Sequence, residues 1–187
     1  MDRENIRQEE MKFNTLDRLR RDFNKLENLF GRFEAADDQT KVELAHELLK
    51  EIRLLMAIEE KVIYPALESE TGTEILWAEM KTRQSAVQEL TDELQKAYPT
   101  EDVYKNKLSQ LIQLVKSHIE YEDRHLLPPM EKAALDFSRL DRDIEDIKKK
   151  ILEEYGADAV GVSAGSDAER SKNVRAKTRR SMMFLSL

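Results

Sequence analysis

The stretches LMAIEEKVIYPAL (residues 55–67) and HIEYEDRHLLPPM (residues 118–130) carry one pattern of apolar, acidic and proline positions twice in this chain. In each stretch a glutamate, Glu59 or Glu122, stands six positions before a proline, Pro65 or Pro128. The upstream segments also match, at a shift of sixty-one residues: Phe23, Leu26, Leu29 and Phe33 align with Gln84, Val87, Leu90 and Leu94. A repeat of this length predicts a helical hairpin that occurs twice.

Apolar residues in the first hairpin recur every three or four positions, as on one face of an amphipathic helix. They predict helix A over residues 14–36. Thr40 with Glu43 has the spacing of a capping box and predicts the start of helix B, which Pro65 should bend or end. The two apolar stripes are Leu16, Leu19, Phe23, Leu26, Phe30 and Phe33 on helix A, and Leu44, Leu48, Ile52, Leu55, Glu59 and Val62 on helix B.

The second hairpin has the same organisation. Gly72 and Thr73 mark a turn and a cap before helix C, which should run to about Ala97, and Pro99 separates it from helix D. The stripe of helix D is Leu108, Leu111, Val115, His118, Glu122 and either His125 or Leu126. Four helices with short links predict an all-α, up-down-up-down four-helix bundle over residues 1–135.

A fifth apolar pattern follows the repeat and predicts an additional amphipathic helix over residues 136–156, ending at Gly156. It could either cap the bundle or provide a seam for a protein partner or for self-association. Residues 157–187 carry six basic against three acidic residues and predict a flexible basic tail. The residues of the seam are Phe137, Leu140, Ile144, Ile147 and Ile151.

Composition limits the classes of protein that the chain can represent. A length of 187 residues with 40% hydrophobic content suits one domain with a real core. The chain has no cysteine, and its net charge of −7 is unfavourable for nucleic-acid binding. No apolar run reaches membrane-spanning length, and the first residues are charged where a secretory signal would be apolar. We therefore expect a cytoplasmic protein that has no membrane span and binds no nucleic acid.

Glu59 and Glu122 occupy apolar stripes, where an ionised carboxylate is costly unless a partner compensates for it. Helices B and D run parallel in the predicted topology, so both glutamates should face one layer of the core. Four further positions lie at a similar height, roughly 13 to 17 residues from the same end of their helices. We expect them to converge on one interior ring: Phe23, Leu55, Gln84 and His118.

The repeat resembles the hemerythrin-like, HHE cation-binding family over roughly residues 15–132. That family pattern has a histidine on helix A, a His-x-x-x-Glu on helix B followed by an aromatic residue and proline, a histidine on helix C and a second His-x-x-x-Glu on helix D. The resemblance implies a four-helix bundle that holds two non-haem irons. Here His118 and Glu122 keep the motif of helix D and Glu59 keeps the glutamate of helix B. The other family ligand positions are substituted by Phe23, Leu55 and Gln84.

These substitutions predict that an ordinary di-iron centre has been lost. Phenylalanine and leucine offer no lone pair, and glutamine is a weak carbonyl donor. We expect no cofactor; the alternative is one iron or zinc ion held by Glu59, His118 and Glu122 with water. The chain is then a binding or structural protein rather than an enzyme, or a residual metal-binding protein in oxygen, nitric oxide or iron sensing.

Another pair of motifs, Glu43-x-x-His46 and Glu122-x-x-His125, has the spacing of ferritin-like dinuclear sites. Glu43 should lie near one end of helix B and Glu122 near the opposite end of helix D, on the order of 28 Å apart. One metal cluster cannot span that distance. We therefore expect His46 and His125 to be surface residues.

A metal-free cluster needs its own charge balance. We expect a neutral arrangement in which His118 is protonated and Glu59 shares a proton with Glu122, because two adjacent carboxylates cannot both ionise cheaply. This hypothesis predicts raised pKa values for both glutamates when no metal is bound.

Overall fold

A computed structural model of the chain describes residues 3–68, 74–96 and 102–163, which are helical apart from short connections. The long helices are α1 (Arg3–Ala35), α2 (Asp38–Ile58), α4 (Glu74–Lys96), α5 (Asp102–His125) and α7 (Phe137–Ser163). A π-turn (Glu59–Ile63) and the short helix α3 (Tyr64–Glu68) continue α2, and α6 (Leu127–Lys132) follows α5. No strand occurs in these ranges, so the predicted all-α class is confirmed.

The bundle is built from the two hairpins that the repeat predicted. Helix α1 packs on α2 and on α5, and α4 packs on α5 and on α2, which closes a ring of four helices. The predicted stripes of helices A, B and D are buried throughout, including Phe30, Leu48 and Leu111. Helical periodicity identified these faces because burial of apolar surface is the main driving force for packing amphipathic helices.

The structure corrects several predicted boundaries. Helix α1 begins at Arg3, eleven residues before the predicted start. The cap of α2 is Asp37 rather than Thr40, since the Asp37 side chain accepts a hydrogen bond of 2.8 Å from the Thr40 backbone N–H. Helix α7 continues through Gly156 to Ser163. Residues 164–187 of the predicted tail lie outside the described residues.

Pro65 neither ends nor interrupts the helical path of the first hairpin. The backbone passes from α2 into the π-turn, where the Tyr64 N–H donates to the Glu59 carbonyl five residues before it, and then into α3. A proline has no N–H and clashes with the carbonyl four residues earlier in a regular α-helix. A π-turn immediately before Pro65 relaxes that constraint, and the chain stays helical up to Glu68.

The first part of α7, up to Lys148, packs against α1 within the unit Met1–Lys148 and runs parallel to it. The Thr15 hydroxyl donates to Asp141 Oδ1 at 3.0 Å, and Lys148 Nζ donates to Asp22 Oδ2 at 2.8 Å. Phe137, Leu140 and Ile144 are buried. The first part of this seam therefore caps the bundle, which is one of the two roles that the sequence left open. The unit that begins at Lys149 carries the last part of α7, in which Ile151 is buried.

Within the described ranges no helix combines the length and the apolar character needed to cross a membrane.

The two candidate caps of α2 can be distinguished by substitution. Asp37→Ala removes the acceptor for the Thr40 N–H, so we expect it to lower the midpoint of thermal unfolding by about 2–4 °C. Thr40→Ala keeps this backbone hydrogen bond and should lower the midpoint by less. Circular dichroism melts of both variants and the wild type measure this difference, and an equal or larger loss in Thr40→Ala would favour Thr40 as the cap.

Candidate metal centre

The π-turn places two polar side chains of the first hairpin in the bundle interior. Five residues in a regular α-helix rotate a side chain by about 140° away from its starting direction. The hydrogen bond from the Tyr64 N–H to the Glu59 carbonyl closes a wider turn, in which these two residues lie over each other. Both side chains are buried, with about 1% of their surface exposed.

Helix α5 supplies the other two polar side chains from an uninterrupted α-helix. His118 and Glu122 are four residues apart, so they lie on one face of the helix. Their exposed fractions are 1% and 0%. Glu59, His118 and Glu122 each offer a ligand atom, and these three atoms lie within 4.8 Å of one another. The tertiary structure thus brings together the three candidate ligands that the sequence singled out.

Hydrogen bonds link the four side chains directly. His118 Nε2 lies 2.9 Å from Glu59 Oε2 and 3.5 Å from Glu122 Oε1. The Tyr64 hydroxyl donates to Glu122 Oε1 at 2.8 Å and is 3.4 Å from Glu59 Oε2. The same hydroxyl lies 3.6 Å from the sulfur of Met80 on α4. Four elements, the π-turn, α3, α4 and α5, therefore meet at one buried polar cluster, which we call the Glu-His-Glu-Tyr cluster.

Burial controls the ionisation of this cluster. Loss of solvation raises the pKa of Glu59 to about 8 and raises the pKa of Glu122 well above its ordinary value, with the nearby Glu59 charge adding to the shift of Glu122. The raised pKa values predicted for the acid pair are thus confirmed in direction. The expected protonation of His118 is wrong in direction, because desolvation lowers its pKa and favours the neutral imidazole.

Several polar atoms of the cluster have no hydrogen-bond partner among the described residues. They are Glu59 Oε1, Glu122 Oε2 and His118 Nδ1, each on a fully buried side chain. Buried polar atoms are normally paired, because an unpaired one loses its hydration without compensation. Each glutamate therefore keeps one carboxylate oxygen in the core without a partner, beside the oxygen that contacts His118 or Tyr64.

The substituted ligand positions add no strong donor. Phe23 and Leu55 are buried apolar side chains. Gln84 is also buried, and its amide nitrogen donates to the Met56 carbonyl at 2.8 Å, so this side chain ties α4 to the backbone of α2. Three of the six positions that the resemblance marks as ligands thus serve packing or a helix-to-helix hydrogen bond.

His46 and His125 lie on the surface, as predicted. Each ring nitrogen Nδ1 is 2.9 Å from the carbonyl four residues earlier on its own helix, Val42 or Tyr121. His125 also stacks on the ring of Tyr121, with centroids 4.2 Å apart. Neither histidine takes part in the buried cluster.

Sequence reasoning missed Tyr64 and Met80 as members of the site. Tyr64 stands at the aromatic position before proline in the repeat, which was the signal available for it. Its inward orientation depends on the π-turn, and helical periodicity assumes 3.6 residues per turn throughout. Met80 is one apolar residue of a helix and carries no sequence signal for a polar neighbour.

The family follows from a comparison with known proteins. Residues 14–130 match the family model described as the hemerythrin HHE cation-binding domain. The chain belongs to this hemerythrin HHE family. Its fold is similar to the crystal structure of a hemerythrin HHE cation-binding domain-containing protein from Mycobacterium kansasii. The TM-score is 0.60 and the sequence identity 20%, with coverage of 82% of this chain and 94% of that one.

A curated relative of this HHE chain is a DNA nickase from Nostoc sp. (strain PCC 7120 / SAG 25.82 / UTEX 2576). The two are 25% identical over 151 residues, which cover 79% of this chain and 43% of the relative. The chain therefore spans less than half the length of that nickase.

The raised pKa of Glu59 predicts how stability depends on pH. Between about pH 4.5 and pH 8, Glu59 keeps its proton in the metal-free folded protein but has lost it in the unfolded chain, where its pKa has the ordinary value near 4.5. The unfolding free energy should therefore fall as pH rises towards about 8, by about 1.4 kcal/mol per pH unit for one proton. His118 does not affect this pH dependence between about pH 6.5 and 8. Its lowered pKa makes the unfolding free energy rise with pH, but only below about pH 6.5.

Denaturant unfolding at several pH values in this window, with a chelator present, measures the slope. Glu59→Gln should reduce the slope by the contribution of one proton, since Glu122 keeps its own raised pKa, and Glu60→Gln, a change at the exposed neighbouring glutamate, should leave it unchanged. A wild-type stability that stays constant or rises between pH 6.5 and 8 would contradict a neutral acid pair.

Proposed function

We propose that this HHE protein no longer holds a di-iron centre and instead binds one metal ion through Glu59, His118 and Glu122. The observation that carries the proposal is the convergence of three fully buried donor groups within 4.8 Å, with a free carboxylate oxygen on each glutamate. Three protein ligands and an open position form a known type of mononuclear site, and two carboxylates with one imidazole can supply the three ligands. The protein is then a metal-binding member of the family, in the sensing or handling of iron.

Donor count argues against two metals. Each iron of a dinuclear centre needs several nitrogen or oxygen ligands. Of the six ligand positions that the resemblance marks, three hold strong donors among the described residues, and two ions would have to share them. Phe23 and Leu55 place hydrocarbon at two of the others. Gln84 has its amide nitrogen engaged with the Met56 carbonyl. The residues present therefore fit one cation and do not fit the di-iron group that the family implies.

The residues of the cluster would prepare the site for one cation. Burial keeps the metal-free carboxyl groups protonated, so metal binding must displace protons, and affinity should rise with pH. Gln84 fixes α4 against α2 beside the site. The bound ion would supply Lewis acidity or an open coordination position, while the protein residues supply charge and exclude water.

A metal-free structural bundle is the second candidate. The observation that favours it is the internal pairing of His118 with Glu59 and of Tyr64 with Glu122, which partly satisfies the cluster without an ion. In that case protons neutralise the glutamates, and function resides on the surface, as a scaffold for a protein partner.

The nickase activity of the Nostoc relative is not carried over to this chain. The matched region is 43% of that protein, and the net charge of −7 gives little attraction for a phosphate backbone.

Metal stoichiometry tests the proposal. Purified protein loaded anaerobically with iron(II), and separately with zinc, should hold one ion per chain by elemental analysis after desalting. His118→Ala should lower affinity by at least about tenfold, because one of three protein ligands is removed. His125→Ala is the matched control, since it changes an exposed histidine on the same helix and should bind like the wild type.

Glu122→Gln preserves side-chain shape and provides a second variant if His118→Ala unfolds. Two ions per chain would overturn the one-metal proposal in favour of a dinuclear centre. No retained ion at pH 8 would favour the metal-free scaffold.

A further inference from the structure

We propose that Tyr64 is a fourth protein ligand and that the ion of this site is ferric iron. This inference rests on the proposed one-metal function and deepens it, because it names the metal and a ligand outside the set that the sequence motifs supply.

Interatomic distances carry the first step. Four donor atoms form a closed circuit: Tyr64 Oη to Glu122 Oε1 is 2.8 Å, and Glu122 Oε1 to His118 Nε2 is 3.5 Å. His118 Nε2 to Glu59 Oε2 is 2.9 Å, and Glu59 Oε2 to Tyr64 Oη is 3.4 Å. Metal bonds of about 2.0–2.2 Å at right or tetrahedral angles place neighbouring donors about 2.8–3.6 Å apart. All four separations fall in that range, as expected for adjacent ligands of one ion.

The backbone explains why the phenol is available. Tyr64 is the residue that closes the π-turn on Glu59, and such turns are frequent at functional sites. A regular α-helix would direct the two side chains about 140° apart around the axis, and the phenol would then leave the cluster. The ring is held from the side by Trp77, whose ring centroid is 5.0 Å away in an edge-to-face arrangement. Tyr64 is thus a buried, positioned oxygen donor.

Charge balance is met by a trivalent ion when all three acids of the cluster ionise. Glu59 and Glu122 as carboxylates and Tyr64 as a phenolate carry three negative charges, while His118 binds as a neutral imidazole. A trivalent cation makes this cluster neutral with Tyr64 as a ligand, whereas a divalent ion such as zinc reaches neutrality only if one acid, such as the Tyr64 phenol, keeps its proton. Binding releases the phenolic proton and the carboxyl protons to solvent, so the exchange conserves charge. Three oxygen donors and one nitrogen also suit a hard cation such as ferric iron.

The visible spectrum of the iron-loaded full chain tests this inference. Phenolate bound to ferric iron has a ligand-to-metal charge-transfer band in the visible region, which carboxylate and imidazole ligands do not produce. Wild-type protein loaded with ferric citrate and desalted should show this band at one iron per chain. Resonance Raman excitation within the band should enhance the ring vibrations of a coordinated tyrosinate.

Substitution assigns the band to a residue. Tyr64→Phe should lose the band completely while retaining iron at saturating concentration. Tyr104→Phe is the matched control, since Tyr104 is a buried tyrosine on α5 that lies 14 residues, or about 21 Å, before His118. It should retain the band. If Tyr64→Phe does not fold, the Raman spectrum of the wild type still decides whether a tyrosinate is bound.

The outcomes separate the two proposals. One ferric ion per chain without a phenolate band, or a band that persists in Tyr64→Phe, overturns the role of Tyr64 and leaves the one-metal function standing. Failure to bind any ion overturns both. A tyrosinate spectrum that disappears in Tyr64→Phe and remains in Tyr104→Phe supports both.

Discussion

The burial of two adjacent carboxyl groups in a mainly apolar core is the constraint on which the rest of this structure depends. Glu59 and Glu122 are about 1% and 0% exposed, so neither can rely on water to stabilise a charge. Each group must be neutralised by a proton, by a hydrogen-bond donor or by a cation. His118 and Tyr64 provide the protein part of that compensation. The pKa directions, the free oxygen atoms and the metal-binding potential all follow from this requirement.

Three positions that the resemblance marks as ligands are occupied by side chains that serve packing. Phe23 and Leu55 place apolar volume there, which increases the buried hydrocarbon area of the core. Gln84 donates a hydrogen bond to the backbone of a neighbouring helix. The bundle therefore packs at these positions without a strong metal donor, while Glu59 and Glu122 lie beside His118 in the core.

Comparison with known proteins assigns the family and the fold, and it leaves the function of this chain to the site itself. Similarity to the Mycobacterium kansasii structure at 20% identity concerns the path of the backbone. The Nostoc nickase matches over less than half of its length, so its activity can reside in parts that this chain does not cover. Distances and burial in the Glu-His-Glu-Tyr cluster are what support metal binding by this chain.

The sequence by itself determined the helical hairpin repeat, the buried faces and the inward positions of Glu59, His118 and Glu122. Apolar residues such as Leu48 and Leu111 recur with the helical period, and the repeat places Glu59 and Glu122 at equivalent heights. The surface positions of His46 and His125 could be predicted in the same way, from height along the helices.

Only the tertiary structure decided the cap of α2, the length of α7 and the place of Tyr64. Asp37 and Thr40 both have the chemistry of a cap, and only the backbone geometry selects between them. Tyr64 reaches the cluster because five residues close one turn at Glu59, a local departure from the helical period that periodicity cannot reveal. The pKa of Glu59 depends on how completely the neighbouring helices exclude water, and that is a property of the packed bundle.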